Sequence, residues 1–103
     1  MYLQMKPLPS IVAHEGANVT FTAEFFEIPT QHPEIRWYFS GDKLHCRDPL
    51  LINGTERHLL LSANRMILTV LNITAKQKGC YTVQAYGDGN PHIHEQRGYV
   101  DLT

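Results

Sequence analysis

The histidines are the residues most able to hold a metal in this chain. His92 and His94 are one residue apart, so on a strand both imidazoles would lie on one face, as half of a zinc site requires. No Cys, Asp or third His completes such a site at a recognisable spacing. The six histidines are scattered over predicted loops and strand ends: His14, His32, His45, His58, His92 and His94. We therefore expect exposed histidines and no metal site.

The candidate nucleophiles lack the neighbours that would activate them. Cys46 follows His45, but neighbours in a strand point to opposite faces, so the imidazole is badly placed to activate the thiol. Ser40 and Ser62 lie in predicted turns, without the strand–turn–helix setting of a nucleophilic serine. The glycines of residues 87–91 are typical of a hairpin turn and not of a phosphate loop. The sequence therefore predicts no catalytic residue and no cofactor, so the chain is not expected to be an enzyme.

Composition limits the kinds of partner. The chain has 103 residues, which predicts one domain spanning residues 1–103, and a start methionine added to an excised domain would explain Met1. Nine Lys and Arg against ten Asp and Glu give a net charge of -1, which excludes the basic field that nucleic acids require and a polybasic membrane patch. No apolar run approaches the roughly 20 residues that span a bilayer.

The pattern along the chain predicts strands. Clusters of Gly, Pro, Asn and Ser, which favour turns, recur at short intervals. Between them apolar residues alternate with polar ones, in residues 19–25, 35–39, 66–70, 81–85 and 99–103. Many short strands with frequent turns are typical of an antiparallel sandwich or barrel. The only helical candidate, residues 74–78, is one turn long and is expected to be a connector.

Three features are more specific than this pattern. They are the single tryptophan in Ile35-Arg36-Trp37-Tyr38, the leucine-rich stretch 68–74, and Gly79-Cys80-Tyr81-Thr82-Val83. Together they resemble an immunoglobulin-like domain of the intermediate type, the I-set. The resemblance covers essentially the whole chain. It implies an all-β, immunoglobulin-like I-set sandwich of two antiparallel sheets.

The resemblance also assigns the core. It makes Tyr81 the residue of the tyrosine corner, with its ring buried and its hydroxyl bonded to nearby backbone. Where the family has cysteines that bridge its strands B and F, here residues 19–23 and 79–86, this chain has Ala23 and Val83, so no B–F disulfide is expected. Gln77 replaces the usual aspartate of the E–F connection, so the family's Asp–Arg pair is not expected. The predicted core residues are Ala23, Trp37, Leu68, Val70, Tyr81 and Val83.

The two cysteines, Cys46 and Cys80, lie elsewhere. Cys46 is expected just after the turn from strand C, residues 35–39, into the next strand, C′, and Cys80 on strand F. Strand C would then lie between C′ and F. Two strand spacings put the backbones about 10 Å apart, beyond the roughly 7 Å limit for a disulfide. We therefore expect two free thiols, which suits a reducing compartment, and a chain that extends fully under load.

Three Asn-x-Thr sequons point the other way. They begin at Asn18, Asn53 and Asn72, and in a secreted chain they would be glycosylation sites. The alternative is ordinary composition, since Thr is common on strands and Asn is common before turns. Whether any of the three carries a glycan stays open from the sequence.

One predicted surface has the composition of an interface. Arg36, Tyr38, Tyr86 and Tyr99 are expected on the outer face of the sheet formed by strands C, F and G, where G is the last strand, residues 99–103. Tyr and Arg are enriched at protein interfaces. The alternative is that cross-strand aromatic pairs simply stabilise the sheet.

Among I-set domains without the B–F bridge, the chain is most similar to those of giant muscle proteins, first titin, then obscurin and the myomesins. This resemblance implies a structural and protein-interaction module in the cytoplasm, at the sarcomere and towards the M-band. Its partners would be neighbouring immunoglobulin and fibronectin-type domains and other sarcomeric proteins. A module that regulates an attached kinase elsewhere in the parent is a further possibility.

The implied mechanism is mechanical. In the I-set pattern the first strand switches sheets near residues 7–10, and residues 11–14 pair in parallel with residues 99–103. Pulling the ends apart would load these bonds in shear, which makes the domain a mechanically resistant link. The alternative is an extracellular, glycosylated adhesion or receptor domain that binds a protein ligand through its C–F–G face.

Overall fold

The computed structural model describes residues 4–26, 33–87 and 90–103. Within these ranges the chain forms eight strands: β1 (Ser10–Ala13), β2 (Val19–Thr22), β3 (Glu34–Ser40), β4 (Leu50–Ile52), β5 (Leu59–Leu61), β6 (Ile67–Val70), β7 (Gly79–Gly87) and β8 (Asn90–Leu102). A 3-10 helix of three residues, Ala75–Gln77, joins β6 to β7. No helix in the described part of the chain is long and apolar enough to cross a membrane.

The strands form two sheets that face each other. One has the order β1-β8-β7-β3-β4 and the other the order β2-β6-β5. Neighbouring strands are antiparallel except β1 and β8, which are parallel. The all-β sandwich of two sheets expected from the sequence is confirmed.

The start of the chain switches between the sheets. Met5 forms an antiparallel bridge with Phe25 beyond the end of β2, and the amide of Lys6 donates to the carbonyl of Glu24 (2.8 Å). After two prolines, which cannot donate ladder hydrogen bonds, β1 joins the opposite sheet beside β8. The predicted switch is therefore present.

The core lies between the sheets and contains the residues that alternate inward. Trp37 is fully buried, and its indole nitrogen donates to the carbonyl of Arg65 (2.7 Å). The rings of Phe21 and Tyr81 pack with centroids 5.3 Å apart. All six predicted core residues are buried, with Ala23 and Val83 in the positions where the family has its bridge. Apolar packing therefore occupies the centre of the sandwich.

Hydrogen bonds within residues 74–81 fix the connection between β6 and β7. The Tyr81 hydroxyl donates to the carbonyl of Gln77 (2.6 Å), which forms the predicted tyrosine corner. Burial raises the pKa of Tyr81 well above its usual value, so the phenol stays protonated and remains a donor. The Gln77 side chain accepts from the amide and the hydroxyl of Thr74, in a capping box. Gln77 thus closes this turn in the place of the family's aspartate.

Candidate interaction surfaces

The two cysteines form a disulfide, so the prediction of free thiols was wrong. Cys46 and Cys80 are linked, with their Cα atoms 5.6 Å apart. The prediction placed Cys46 beside a strand separated from β7 by β3. Instead, β4 begins only at Leu50, and Cys46 lies in the preceding loop, residues 41–49, which folds back over the sheet. Full extension under load was wrong for the same reason, because the bond closes a segment with a sequence separation of 34.

Local hydrogen bonds give the 41–49 loop its shape. The carboxylate of Asp42 accepts from the amides of Leu44 (3.1 Å) and His45 (3.2 Å), and its carbonyl accepts from the amide of Cys46. Cys46 and Asp48 have positive φ angles of 51° and 50°, which turn the chain back towards the sheet. The loop is therefore held by its own turns as well as by the disulfide.

A salt bridge ties the 41–49 loop to β8. The ammonium of Lys43 lies 2.6 Å from a carboxylate oxygen of Asp101, and Lys78 lies 3.9 Å from the other oxygen. The hydrogen bond from Lys43, followed by that from the Leu102 amide, lowers the pKa of Asp101 below its usual value. Because these groups are exposed, the pair holds the loop only weakly.

The proposed partner face lies on the outside of the five-stranded sheet, as its strand pattern implied. The pairing of Glu34 with Tyr86 and of Cys80 with Tyr99 places the predicted residues along this face. Tyr38, Tyr86 and Tyr99 are half-buried, whereas Arg36 is exposed. The disulfide lies at the Tyr99 end of the face.

Arg36 is engaged within its own sheet. Its guanidinium lies 4.8 Å from the centroid of the Tyr86 ring and 3.0 Å from a carboxylate oxygen of Glu34. The hydrogen bond with Glu34, followed by one with Tyr38, raises the pKa of Arg36, so it stays charged. Burial, and then the hydrogen bond with Tyr38, raises the pKa of Tyr86. The contacts of Tyr86 with Arg36 and Tyr38 cross from β7 to β3, and such cross-strand pairs stabilise a sheet.

The other candidates for chemistry take structural roles or stay apart. The hydroxyl of Ser40 donates to the carbonyl of Arg47, and that of Ser62 donates to the side chain of Asn64. His32 and the side chain of His92 lie outside the described residues. Among the described residues, no three His, Cys, Asp or Glu side chains come close enough to hold a metal ion.

Two adjoining concave sites lie along the side of the sandwich, and neither was found from the sequence. The first, here called the apolar pocket, has a volume of about 250 Å³ and is lined chiefly by Phe39, Leu50, Leu51, Ile52, Leu59 and Tyr81. The second, here called the basic groove, has a volume of about 680 Å³ and is lined chiefly by Arg57, His58, Asn72, Thr74, Lys76 and Gln77. His58 and Gln77 line both sites. The charged residues of the groove come from two separate connections, so no local motif could have indicated it.

Comparison with known structures gives the same fold. Titin M4 superposes with a TM-score of 0.70 at 13% identity, covering 100% of both chains. The titin domains Z1Z2, solved in complex with telethonin, superpose with a TM-score of 0.70 at 24% identity, over 100% of this chain and 50% of that one. A titin M10–obscurin-like 1 Ig complex gives 0.69 at 12% identity, over 95% of this chain and 89% of that one.

The family follows from a sequence model. No curated protein sequence matches the chain. The model of the immunoglobulin I-set domain matches residues 3–92, which is most of its length. The chain therefore belongs to the immunoglobulin I-set family, a family of non-enzymatic modules.

Proposed function

We propose that this domain is a load-bearing link and protein-interaction module in a multi-domain muscle scaffold similar to titin. The observation that carries the proposal is the parallel pairing of β1 with β8, from Ser10 opposite Tyr99 to Ala13 opposite Leu102. A force that separates the two ends of the domain pulls these strands in opposite directions along their length. Their hydrogen bonds then share the load and must break together, which slows forced unfolding.

The first segment of the chain adds to this clamp. The bond from Lys6 to Glu24 and that from Phe26 to Gln4 (3.0 Å) hold residues 4–6 against the other sheet. Just past the end of β8, the amide of Thr103 donates to the carbonyl of Ala13, the last residue of β1 (3.0 Å). Residues 4–6 are thus attached to one sheet and residues 10–13 to the other, and both attachments must break before the core is exposed.

The proposed partners are neighbouring immunoglobulin and fibronectin-type domains and other sarcomeric proteins. Structures with this fold include titin domains in complex with telethonin and with an obscurin-like domain. The proposed location is the cytoplasm, at the sarcomere and towards its M-band. The absence of the B–F bridge, with Ala23 and Val83 in its place, supports this location.

A matched pair of proline variants tests the load-bearing role. Backbone groups alternate in direction along a strand, and the carbonyl of Ala13 faces β8. The amide of Ile11 therefore also faces β8, whereas that of Val12 faces outward. In single-molecule pulling, we expect Ile11→Pro to lower the unfolding force clearly and Val12→Pro to lower it much less. Ile11→Ala controls for the lost side chain, and equal forces for the two proline variants would contradict the proposal.

A second candidate function is an extracellular adhesion or receptor module. The specific observation in its favour is the Cys46–Cys80 disulfide, because such bonds persist mainly in oxidising compartments. In addition, all three sequon asparagines, Asn18, Asn53 and Asn72, are exposed. In this function the partner face, formed by Arg36, Tyr38, Tyr86 and Tyr99, would bind a protein ligand.

Two measurements separate the candidates. Mass spectrometry of the parent protein from native tissue would show glycan on Asn18, Asn53 or Asn72 if the chain passes through the secretory pathway, and unmodified asparagines if it does not. Replacing Tyr38, Tyr86 and Tyr99 together should abolish ligand binding in the extracellular case. Unchanged affinity for an identified partner would dispose of this face as the binding site.

A further inference from the structure

The cations of this chain are divided unequally between paired and unpaired. Of the nine Lys and Arg side chains, six form ion pairs: Lys6, Arg36, Lys43, Arg47, Lys78 and Arg97. The other three, Arg57, Arg65 and Lys76, have no carboxylate partner among the described residues. Two of these three, Arg57 and Lys76, line the basic groove together with His58. Unpaired positive charge is thus concentrated at one concave site.

The groove also lacks neutralising groups. No carboxylate belongs to its described lining. The nearest in sequence, Glu56, lines the adjoining apolar pocket, and its two oxygens accept from the amides of Asn53 (3.3 Å) and Gly54 (3.4 Å). A concave site lined by one sign of charge attracts groups of the opposite sign. The groove is therefore complementary to an anionic ligand.

The apolar pocket beside the groove favours an anionic ligand that also has an apolar part. It continues from the groove through His58 and Gln77, and its rim carries Leu50 and Leu51, which are 71% and 55% exposed. Both leucines lie on β4, which pairs only with β3 in the described part of the chain, so its other edge has no strand partner. Free strand edges accept extended peptides through main-chain hydrogen bonds.

We propose that the basic groove and the apolar pocket form one binding surface for an acidic peptide segment that carries a large apolar side chain. The carboxylates lie against Arg57 and Lys76, and the apolar side chain enters the pocket beside Leu51 and Leu59. A sulfated glycan or a free phosphate would use the groove but would leave the pocket unfilled. The peptide is the ligand that uses both halves of the surface.

This surface lies apart from the β1–β8 pairing. The domain can bear load without binding such a peptide, and it can bind one without bearing load. A failed binding test therefore leaves the load-bearing proposal intact, and a failed pulling test leaves the binding surface intact.

The test uses three probes on the whole domain. They are the peptide Glu-Glu-Leu-Glu-Glu, the same peptide with Ser in place of Leu, and a sulfated heparin hexasaccharide. Amide chemical shifts followed by NMR during each titration locate binding and give the affinity. We expect the leucine peptide to change the amide chemical shifts of residues 50–59 and 71–77. We also expect it to bind about tenfold more tightly than the serine peptide.

Two charge variants complete the test. Arg57→Ala with Lys76→Ala should weaken binding of the leucine peptide about tenfold or more. The matched control is Arg65→Ala, which removes the third unpaired cation from outside the groove and should leave the affinity within about twofold. Urea denaturation of each variant verifies that it is folded.

Three results would overturn the proposal. The first is the absence of shifts around the groove at millimolar leucine peptide. The second is equal loss of affinity in the double variant and in Arg65→Ala. The third is equal affinity for the leucine and serine peptides. If, in that case, the hexasaccharide also displaces the leucine peptide, the groove is a site for sulfated glycans.

Discussion

The centre of the sandwich and the 41–49 loop are stabilised in opposite ways. At the centre, where related domains join their sheets by a disulfide, this chain has Ala23 and Val83 beside the fully buried Trp37. In the loop, Cys46 is the only buried residue, and it is linked covalently to Cys80. The covalent bond therefore lies where apolar packing is scarce.

This difference follows from how each kind of interaction stabilises a structure. Truncating one buried apolar side chain lowers the free energy of unfolding by several kcal/mol, because its neighbours are packed against it. Packing alone can therefore hold the two sheets together. A loop that buries a single residue gains little from burial, and a cross-link stabilises it by restricting the unfolded chain. In this domain, packing joins the sheets and the disulfide holds a loop onto the outside of one sheet.

Truncating the central tryptophan should have the largest effect. Trp37→Ala removes a fully buried ring and the hydrogen bond to the carbonyl of Arg65, so we expect the free energy of unfolding to fall by about 3–5 kcal/mol. Urea denaturation followed by circular dichroism measures the change. Trp37→Phe keeps an aromatic ring and should lose clearly less. If Trp37→Ala lowered the free energy of unfolding by less than removal of the disulfide does, the central core would contribute less to stability than the disulfide-linked loop, contrary to this account.

Removing the disulfide should have the next largest effect. Cys46→Ala with Cys80→Ala opens a loop with a sequence separation of 34, so we expect a loss of about 2–4 kcal/mol. The double variant should also be insensitive to reductant, whereas the wild type should lose stability when it is reduced. Identical denaturation midpoints for the oxidised and reduced wild type would contradict this account.

The tyrosine corner should contribute less. Tyr81→Phe removes the hydroxyl that donates to the carbonyl of Gln77 and keeps the packed ring, so a loss of about 1 kcal/mol is expected. Thermal and urea unfolding both measure it. Tyr99→Phe, on the opposite face of the sheet, serves as a control and should cost little. Equal losses in both variants would mean that the corner adds nothing specific.

The salt bridge to the loop should have the smallest effect, visible mainly as pH dependence. Because the folded pKa of Asp101 lies below its ordinary value of 3.8, its ionised form stabilises the fold above that pH. This contribution is lost as the pH falls through the lowered folded pKa. Asp101→Asn should therefore flatten the pH dependence of stability in the acid range, less so at high salt. An unchanged acid profile would show that Lys43 does not hold the loop through Asp101.

Much of the fold could be predicted from the sequence because its signals are local. Alternation of apolar residues predicts β2, β3, β6 and β7, and the single Trp37 with the stretch ending in Tyr81 and Val83 indicates the family. The inward faces of these strands form the core. Their register across the sheets follows from keeping those faces buried.

The disulfide could not be predicted in the same way. Its formation depends on the path of the 41–49 loop, which is set by the side chain of Asp42 and by positive φ angles at Cys46 and Asp48. Non-Gly residues rarely adopt that conformation, so the sequence favoured a direct path into the next strand. The basic groove was missed for a related reason, because Arg57 and Lys76 are brought together only by packing of two separate connections.

The central claim is that the β1–β8 pairing bears the load and that the disulfide lies outside the core between the two sheets. Single-molecule extension of the oxidised and the reduced domain tests this claim most directly. The segment closed by Cys46 and Cys80, with a sequence separation of 34, should stay hidden while the bond is intact. The account predicts that reduction lengthens the fully extended chain by roughly 110 Å, given about 3.5 Å per residue. The same contour length with and without reductant would contradict it.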